Sequence, residues 1–269
     1  MRKEQRFLTF FHYTDLIQEL VRKDLRLKYR RSFLGYLWSI LNPLFIMIIL
    51  TIVFSQMFNR SIQNYAMYLI AGRTIFEFVN TATNQAMMSI RDNAGLIKKI
   101  YIPKYVFPIS KVTSNLLDCI FSMGAMLIVM IFTKTPFTWY FLMIPVVLVQ
   151  VYLFACGLGM FLAQGIVFFR DLQYIYHAVT TAWMYLTPLF YPVDALPGIV
   201  QWLVIHINPL YSYVEQFRCC VYSAQFPPLW LVGAGCLWAL GMFVFGLLPF
   251  SAMISATGTF VSQNFGAGK

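Results

Sequence analysis

Few side chains in this sequence have the type and spacing to do chemistry, and the first such pair is Arg73 with Glu77. They stand four apart within an apolar stretch, so on a helix they share a face and can pair. Charges inside a membrane are costly, and they either close a structural pair or line a path for a polar solute. Residue types alone leave both readings open. Asp118 is a single acid inside the following apolar stretch, with Lys111 seven residues before it. It has the chemistry to relay a proton, and equally to pair with Lys111 or with a neighbouring helix.

Other chemistry is sparse. His12, His177 and His206 fall on separate predicted elements and do not make a ligand cluster. Cys119, Cys156, Cys219, Cys220 and Cys236 show no CxxC spacing. They read as small apolar residues, with no metal and no disulfide framework expected. The HExxH, GxSxG and GxxxxGK[ST] signatures are absent. Gly266-Ala267-Gly268-Lys269 lacks the following Ser or Thr and the helix that a phosphate loop requires. The chain is therefore expected to have no catalytic residue and no cofactor of its own, and anything it moves must be driven by a partner.

The elements that carry these residues are apolar. Mean hydropathy is +0.67, with 59% hydrophobic and 11% charged residues. Residues 32–59, 135–169, 172–193 and 219–268 contain no Asp, Glu, Lys or Arg. A helix crossing ~30 Å of hydrocarbon needs about 20 mostly apolar residues. Spans are predicted at about 35–57, 65–89, 106–132, 138–168, 174–191 and 229–250. Residues 5–31 interleave Phe and Leu with six cations after residue 20, the pattern of an amphipathic helix on a membrane surface. No cleavable signal is apparent in this charged segment. The stretch 193–228, broken by Pro197, Pro209 and Pro227-Pro228, holds only short apolar pieces suited to re-entrant or interfacial helices.

Cations orient this array. Sixteen of the 20 Lys and Arg fall on one side: nine in residues 1–31, then Arg91, Lys98, Lys99, Lys104, Lys111, Arg170 and Lys269. Arg60, Lys134 and Arg218 fall on the other, and Arg73 is embedded. Both termini are thus expected in the cytoplasm. The net charge of +10 is explained by topology and anionic lipid rather than by nucleic acid. The predicted fold class is all-α integral membrane, with six transmembrane helices, an amino-terminal amphipathic interfacial helix and outer re-entrant helices. It divides into 1–31, a membrane domain over 32–250, and a tail over 251–269.

One run carries a family resemblance: Lys28-Tyr29-Arg30-Arg31-Ser32-Phe33-Leu34-Gly35-Tyr36-Leu37-Trp38-Ser39-Ile40-Leu41-Asn42-Pro43-Leu44. It is followed in order by Leu96-Ile97-Lys98-Lys99 leading to Pro103, Phe169-Arg170-Asp171-Leu172-Gln173, Thr187-Pro188-Leu189-Phe190-Tyr191-Pro192, Asn208-Pro209-Leu210 and Glu215-Gln216-Phe217-Arg218. This series resembles the membrane subunits of ABC-2 type exporters for bacterial polysaccharides such as O-antigen, capsule and teichoic acid. The resemblance implies a homodimer in the bacterial cytoplasmic membrane, bound to two copies of a separate ATPase that carries ATP and Mg. It places a coupling helix at Arg91–Tyr101, with Arg91, Asp92, Leu96, Lys98, Lys99 and Tyr101, and a second inner contact at Arg170 and Asp171. It makes the amino-terminal helix a gate helix, and uses re-entrant pieces after Tyr191 to close the exit. A sugar track of aromatics would include Tyr36, Trp38 and Trp183 as candidates, with Arg73 as a further channel candidate. The tail departs from the family pattern: residues 251–268 are uncharged and rich in small residues, where a short basic tail is usual. The alternatives are an ABC-2 exporter of a small amphiphile or drug, a membrane transferase and a structural scaffold. A transferase needs polar groups gathered at one membrane face, but Glu77, Asp118, Asp194 and Glu215 are divided among separate elements.

Overall fold

The computed structural model describes residues 13–29, 34–58, 62–97 and 102–266, and among them there is no strand. Among the described residues ten α-helices follow one another: α1 (Thr14–Tyr29), α2 (Trp38–Phe58), α3 (Tyr65–Asp92), α4 (Ala94–Ile97), α5 (Val106–Thr133), α6 (Ile144–Phe168), α7 (Leu172–Leu186), α8 (Gly198–Ile207), α9 (Pro209–Val221) and α10 (Leu229–Gly266). Among the described residues, four helical stretches are long and apolar enough to cross a membrane: Gly35–Phe54, Val106–Thr133, Trp139–Phe168 and Leu229–Leu248. Two of the expected spans are of another kind. α3 has ample length at 28 residues but carries Arg73, Glu77, Arg91 and Asp92. α7 has only 15 residues, about 22 Å at 1.5 Å per residue, and so does not cross ~30 Å of hydrocarbon unaided.

α3 is the axle of the fold. Asn64 starts it from a left-handed conformation, its side chain accepting from the Met67 amide. From there Met67, Leu69, Ile70, Ala71, Ile75, Val79, Ala82 and Ala86 are almost wholly buried. Apolar residues around most of its circumference let α3 pack against α2, α5, α6, α7 and α9. Hydroxyls and amides add cross-links: Asn115 of α5 donates to Gln85 at 2.9 Å, and Thr83 and the Tyr176 hydroxyl of α7 lie 2.7 Å apart.

α6 and α10 are held by glycine. A Cβ at Gly157 would collide with the Met242 carbonyl, and one at Gly246 with the Gly157 carbonyl. The two backbones touch because neither side has a side chain. Water exclusion does not drive helix pairing within lipid, so such close packing is what holds the pair. Gln164 adds a bond from its side-chain amide to the Gly246 carbonyl at 3.4 Å.

Other faces have no cover in one chain. α2 packs Ile40, Leu44, Leu50 and Phe54 on the core but presents Phe45, Ile48, Ile49, Ile52 and Val53 outward. α7 buries only Tyr176 and Thr180. In backbone, α10 continues without a break through most of the segment expected as a tail.

The glycine crossing yields a test. Gly246→Val should lower the detergent melting temperature by several degrees, because overpacking costs about 1–3 kcal/mol or more. Gly241→Val, on the same helix with open space around it, should melt within a degree of the parent. Fluorescence-detected size exclusion after a heating series reads both.

Candidate functional site

Three constellations of polar side chains stand out, and the most buried is built around Arg218. By sequence this residue counts among the three cations of the outer side. Within α9 its exposure is 1%. Nη1 donates to the Pro188 carbonyl at 2.8 Å, Nη2 to the Leu189 carbonyl at 3.1 Å and Nε to the Tyr68 carbonyl at 3.3 Å. The guanidinium carbon lies 3.5 Å from the centre of the Tyr68 ring, a cation–π contact. Glu215 approaches to 3.8 Å, one turn earlier on α9. Gly72 makes room, since a Cβ there would sit 2.6 Å from Nη2.

The same knot satisfies the non-helical stretch after α7. The Tyr68 hydroxyl donates to the Tyr191 carbonyl at 2.9 Å and faces that of Pro188 at 3.3 Å, while the Tyr65 hydroxyl donates to the Phe190 carbonyl at 2.8 Å. Four consecutive carbonyls, Pro188 to Tyr191, are therefore met by three side chains. Asn208 closes the other end. It caps α9 at the Leu210 amide, accepts the Trp183 indole N–H at 2.8 Å and donates to the Thr187 hydroxyl at 3.0 Å.

The second constellation is a cleft of about 440 Å³ among the end of α1, α2, α3 and α5. Trp38, Asn42, Arg73, Glu77, Asn115 and Asp118 are among its lining residues. Arg73 and Glu77 approach only to 3.9 Å, too far for a strong hydrogen bond. Asp118 is paired with Lys28 of α1 at 2.7 Å, and Lys111 with Asp24 of α1 at 2.8 Å. Of the alternatives open for Asp118, the structure gives the neighbouring helix. The two bonds, with Leu20 packed on Val106 and Phe107, dock α1 along the first half of α5, both helices running the same way.

The third constellation is a groove of about 490 Å³, lined by Arg91, Lys104 and Arg170 over a floor of Ile90, Ala94, Ile97, Ile166 and Val167. It joins the end of α3 and α4 to the α6–α7 turn. Arg91 bonds the Gln173 side chain at 3.4 Å. Arg91, Asp92, Arg170 and Asp171 are exposed, and Leu96 is half-buried against α1. Lys98, Lys99 and Tyr101 lie outside the described residues. The expected coupling helix appears as the four residues of α4.

The channel candidates are divided. Trp38 and Arg73 share the cleft. Tyr36 lies beside it, 48% exposed and packed on Phe121. Trp183 is elsewhere, packed on Phe154 and tied to Asn208. No group of His, Cys, Asp and Glu able to hold a metal occurs among the described residues.

With this geometry in view, the chain's relationships can be placed. Residues 15–222 match the ABC-2 type transporter family, and the chain belongs to it. It is similar to the O-antigen export system permease protein RfbA of Myxococcus xanthus, at 30% identity over 219 residues, covering 81% of this chain and 84% of that protein. RfbA of Klebsiella pneumoniae is 29% identical over 76% of this chain and 79% of its own length. The polysialic acid transport protein KpsM of Escherichia coli is 23% identical over 75% and 79%.

Two measurements probe the site. Arg218→Gln should lower stability by about 3–5 kcal/mol, the cost of breaking a buried charged network. Tyr68→Phe should cost about 1–2 kcal/mol, because it removes only the hydroxyl's bonds. Melting curves in detergent rank the two. Separately, Lys111→Asp should expose α1 to protease at several times the parent rate, and Asp24→Lys in the same chain should restore protection.

Proposed function

We propose that this chain is the channel-forming membrane subunit of an ATP-driven exporter of lipid-linked or long polysaccharide, of the O-antigen, capsule or teichoic-acid type. The observation that carries this reading is similarity over about four fifths of the chain to permeases named for O-antigen export, joined by relatives named for capsule and polysialic acid. An exporter of a small amphiphile has no comparable support.

In this reading two copies associate in the bacterial cytoplasmic membrane, with six spans each and both termini inside. The uncovered apolar faces of α2 and α7 supply surface for the second copy and for lipid. Two copies of a separate ATPase, holding ATP and Mg, dock from the cytoplasm. The groove of Arg91, Lys104 and Arg170 supports this placement, because cations on an apolar floor between two inner turns suit acidic and apolar side chains of a protein partner. Lys98, Lys99, Tyr101, Asp92, Leu96 and Asp171 belong to the same face. α1, docked on α5 and reaching Leu96 and Ile97 at its start, is the gate element that senses the ATPase. The ATPase favours one of two packings of the dimer, and differential binding to those packings opens the channel. Tyr36, Trp38, Arg73 and Trp183 are assigned to the substrate path.

Arg91→Glu with Arg170→Glu should cut the ATPase recovered with this subunit by at least tenfold and trap finished polymer inside the cell. Unchanged recovery with normal surface polymer would remove the coupling role of the groove.

A further inference from the structure

Three of the six tryptophans stand exposed at one end of the bundle, the end opposite the basic groove. Trp139 opens the helical turn Trp139–Met143 that leads into α6, Trp230 is the second residue of α10, and Trp202 lies on α8. Their shared height follows from the packing. The Gln150 amide reaches the Cys236 sulfur at 3.3 Å, and Gly157 lies against Met242. α6 and α10 therefore run the same way and begin at the same end. Counted from those contacts at about 1.5–2.0 Å per residue, Trp139 and Trp230 stand within about two turns of each other along the bundle. α8 joins them because its Val204 packs with Leu231, the residue after Trp230.

Each of these indoles is mostly bare. Trp139 is 94% exposed, Trp202 56% and Trp230 55%, and none of their ring N–H groups has a hydrogen-bond partner among the described residues. Phe132, Phe137, Leu142 and Leu229 are exposed beside them, and Lys134 is exposed in the turn that ends α5. Farther along, α6 and α10 expose aliphatic side chains such as Val146, Val149, Leu237 and Leu240. An indole has a broad apolar face and one donor at its rim, so it suits the level where acyl chains give way to ester and phosphate oxygens. A protein partner has no reason to require indoles from three separate segments in one narrow band. A flat lipid boundary does. From this we propose that Trp139, Trp202 and Trp230 form an anchoring band in the headgroup layer of the bilayer. Their N–H groups donate to lipid oxygens, their rings rest on the acyl chains, and Lys134 meets lipid phosphate. The band holds the glycine-packed pair of α6 and α10 at one depth, and it is independent of what the chain exports.

Lipid quenching of the full-length chain, in vesicles of phosphatidylcholine and phosphatidylglycerol, tests the band. Parent emission minus that of Trp139→Phe isolates one indole, and the same difference with Trp230→Phe isolates another. Phe replaces one exposed ring by a smaller one, so both variants should keep the parent melting temperature within a degree or two. Phosphatidylcholine brominated close to the headgroup should quench each indole at least twofold more than the same lipid brominated near its chain ends. Stronger quenching from the chain ends would place the indoles in the hydrocarbon. Quenching by aqueous iodide alone would place them in water, and no quenching by any of the three would place them under protein. Any of these results at either residue would overturn the band.

Discussion

Non-helical backbone at the level of a membrane must have its carbonyls satisfied by the protein, because lipid offers no donors. The stretch from Thr187 to Pro192 is non-helical backbone between two helices, and Arg218, with Tyr65 and Tyr68, supplies the donors that satisfy it. One guanidinium joins α9, the 188–189 turn and α3 through three carbonyls. It needs Gly72 to fit, Tyr68 to cover its face and Tyr65 to complete the row. Remove it and the Leu189 carbonyl loses its donor, while only the Tyr65 and Tyr68 hydroxyls still tie the polypeptide between α7 and α9 to the axle of the bundle. The close glycine pairing of α6 with α10 is a separate contact, made by shape rather than charge.

This arrangement places rigid and yielding parts in a useful order. The knot fixes the α7–α9 connection against α3. At the opposite end, α1 is held to α5 by two ion pairs and one small apolar cluster around Leu20, Val106 and Phe107. Fewer and smaller contacts hold α1 than hold the Arg218 knot, so α1 is the element a partner's differential affinity displaces more readily. The basic groove lies beside the start of α1, at Ile97, and the polar cleft beside its end, at Lys28. α1 is thus the physical link between the basic groove and the polar cleft.

Much of this was written in the sequence as separate signals. Uncharged runs gave the apolar helices α2, α6 and α10, and mean hydropathy gave α5 despite Lys111 and Asp118, because hydropathy is a local property that survives folding. The segments around 187–192, 208–210 and 215–218 were visible as motifs, but their convergence on one arginine was not, since contacts across 29 to 150 positions leave no periodic trace. Arg218 was counted among the cations of the outer side, but its burial was not legible, because its carbonyl partners lie 29 to 150 positions away. The i,i+3 spacing to Glu215 was the one local hint. Arg73 and Glu77 were legible as a facing pair, but the looseness of that pair was not. The partners of Asp118 and Lys111 lay in a helix 87 to 90 residues away, beyond any spacing rule. α7 was expected as a full span and is a 15-residue helix, because Thr187-Pro188 ends it early.

The most direct test of the account is to deplete this chain in its native host and locate the cell's lipid-linked polysaccharide. Finished polymer should then be trapped on the cytoplasmic side and lost from the surface. Normal surface polymer, with raised sensitivity to small amphiphiles, would contradict it.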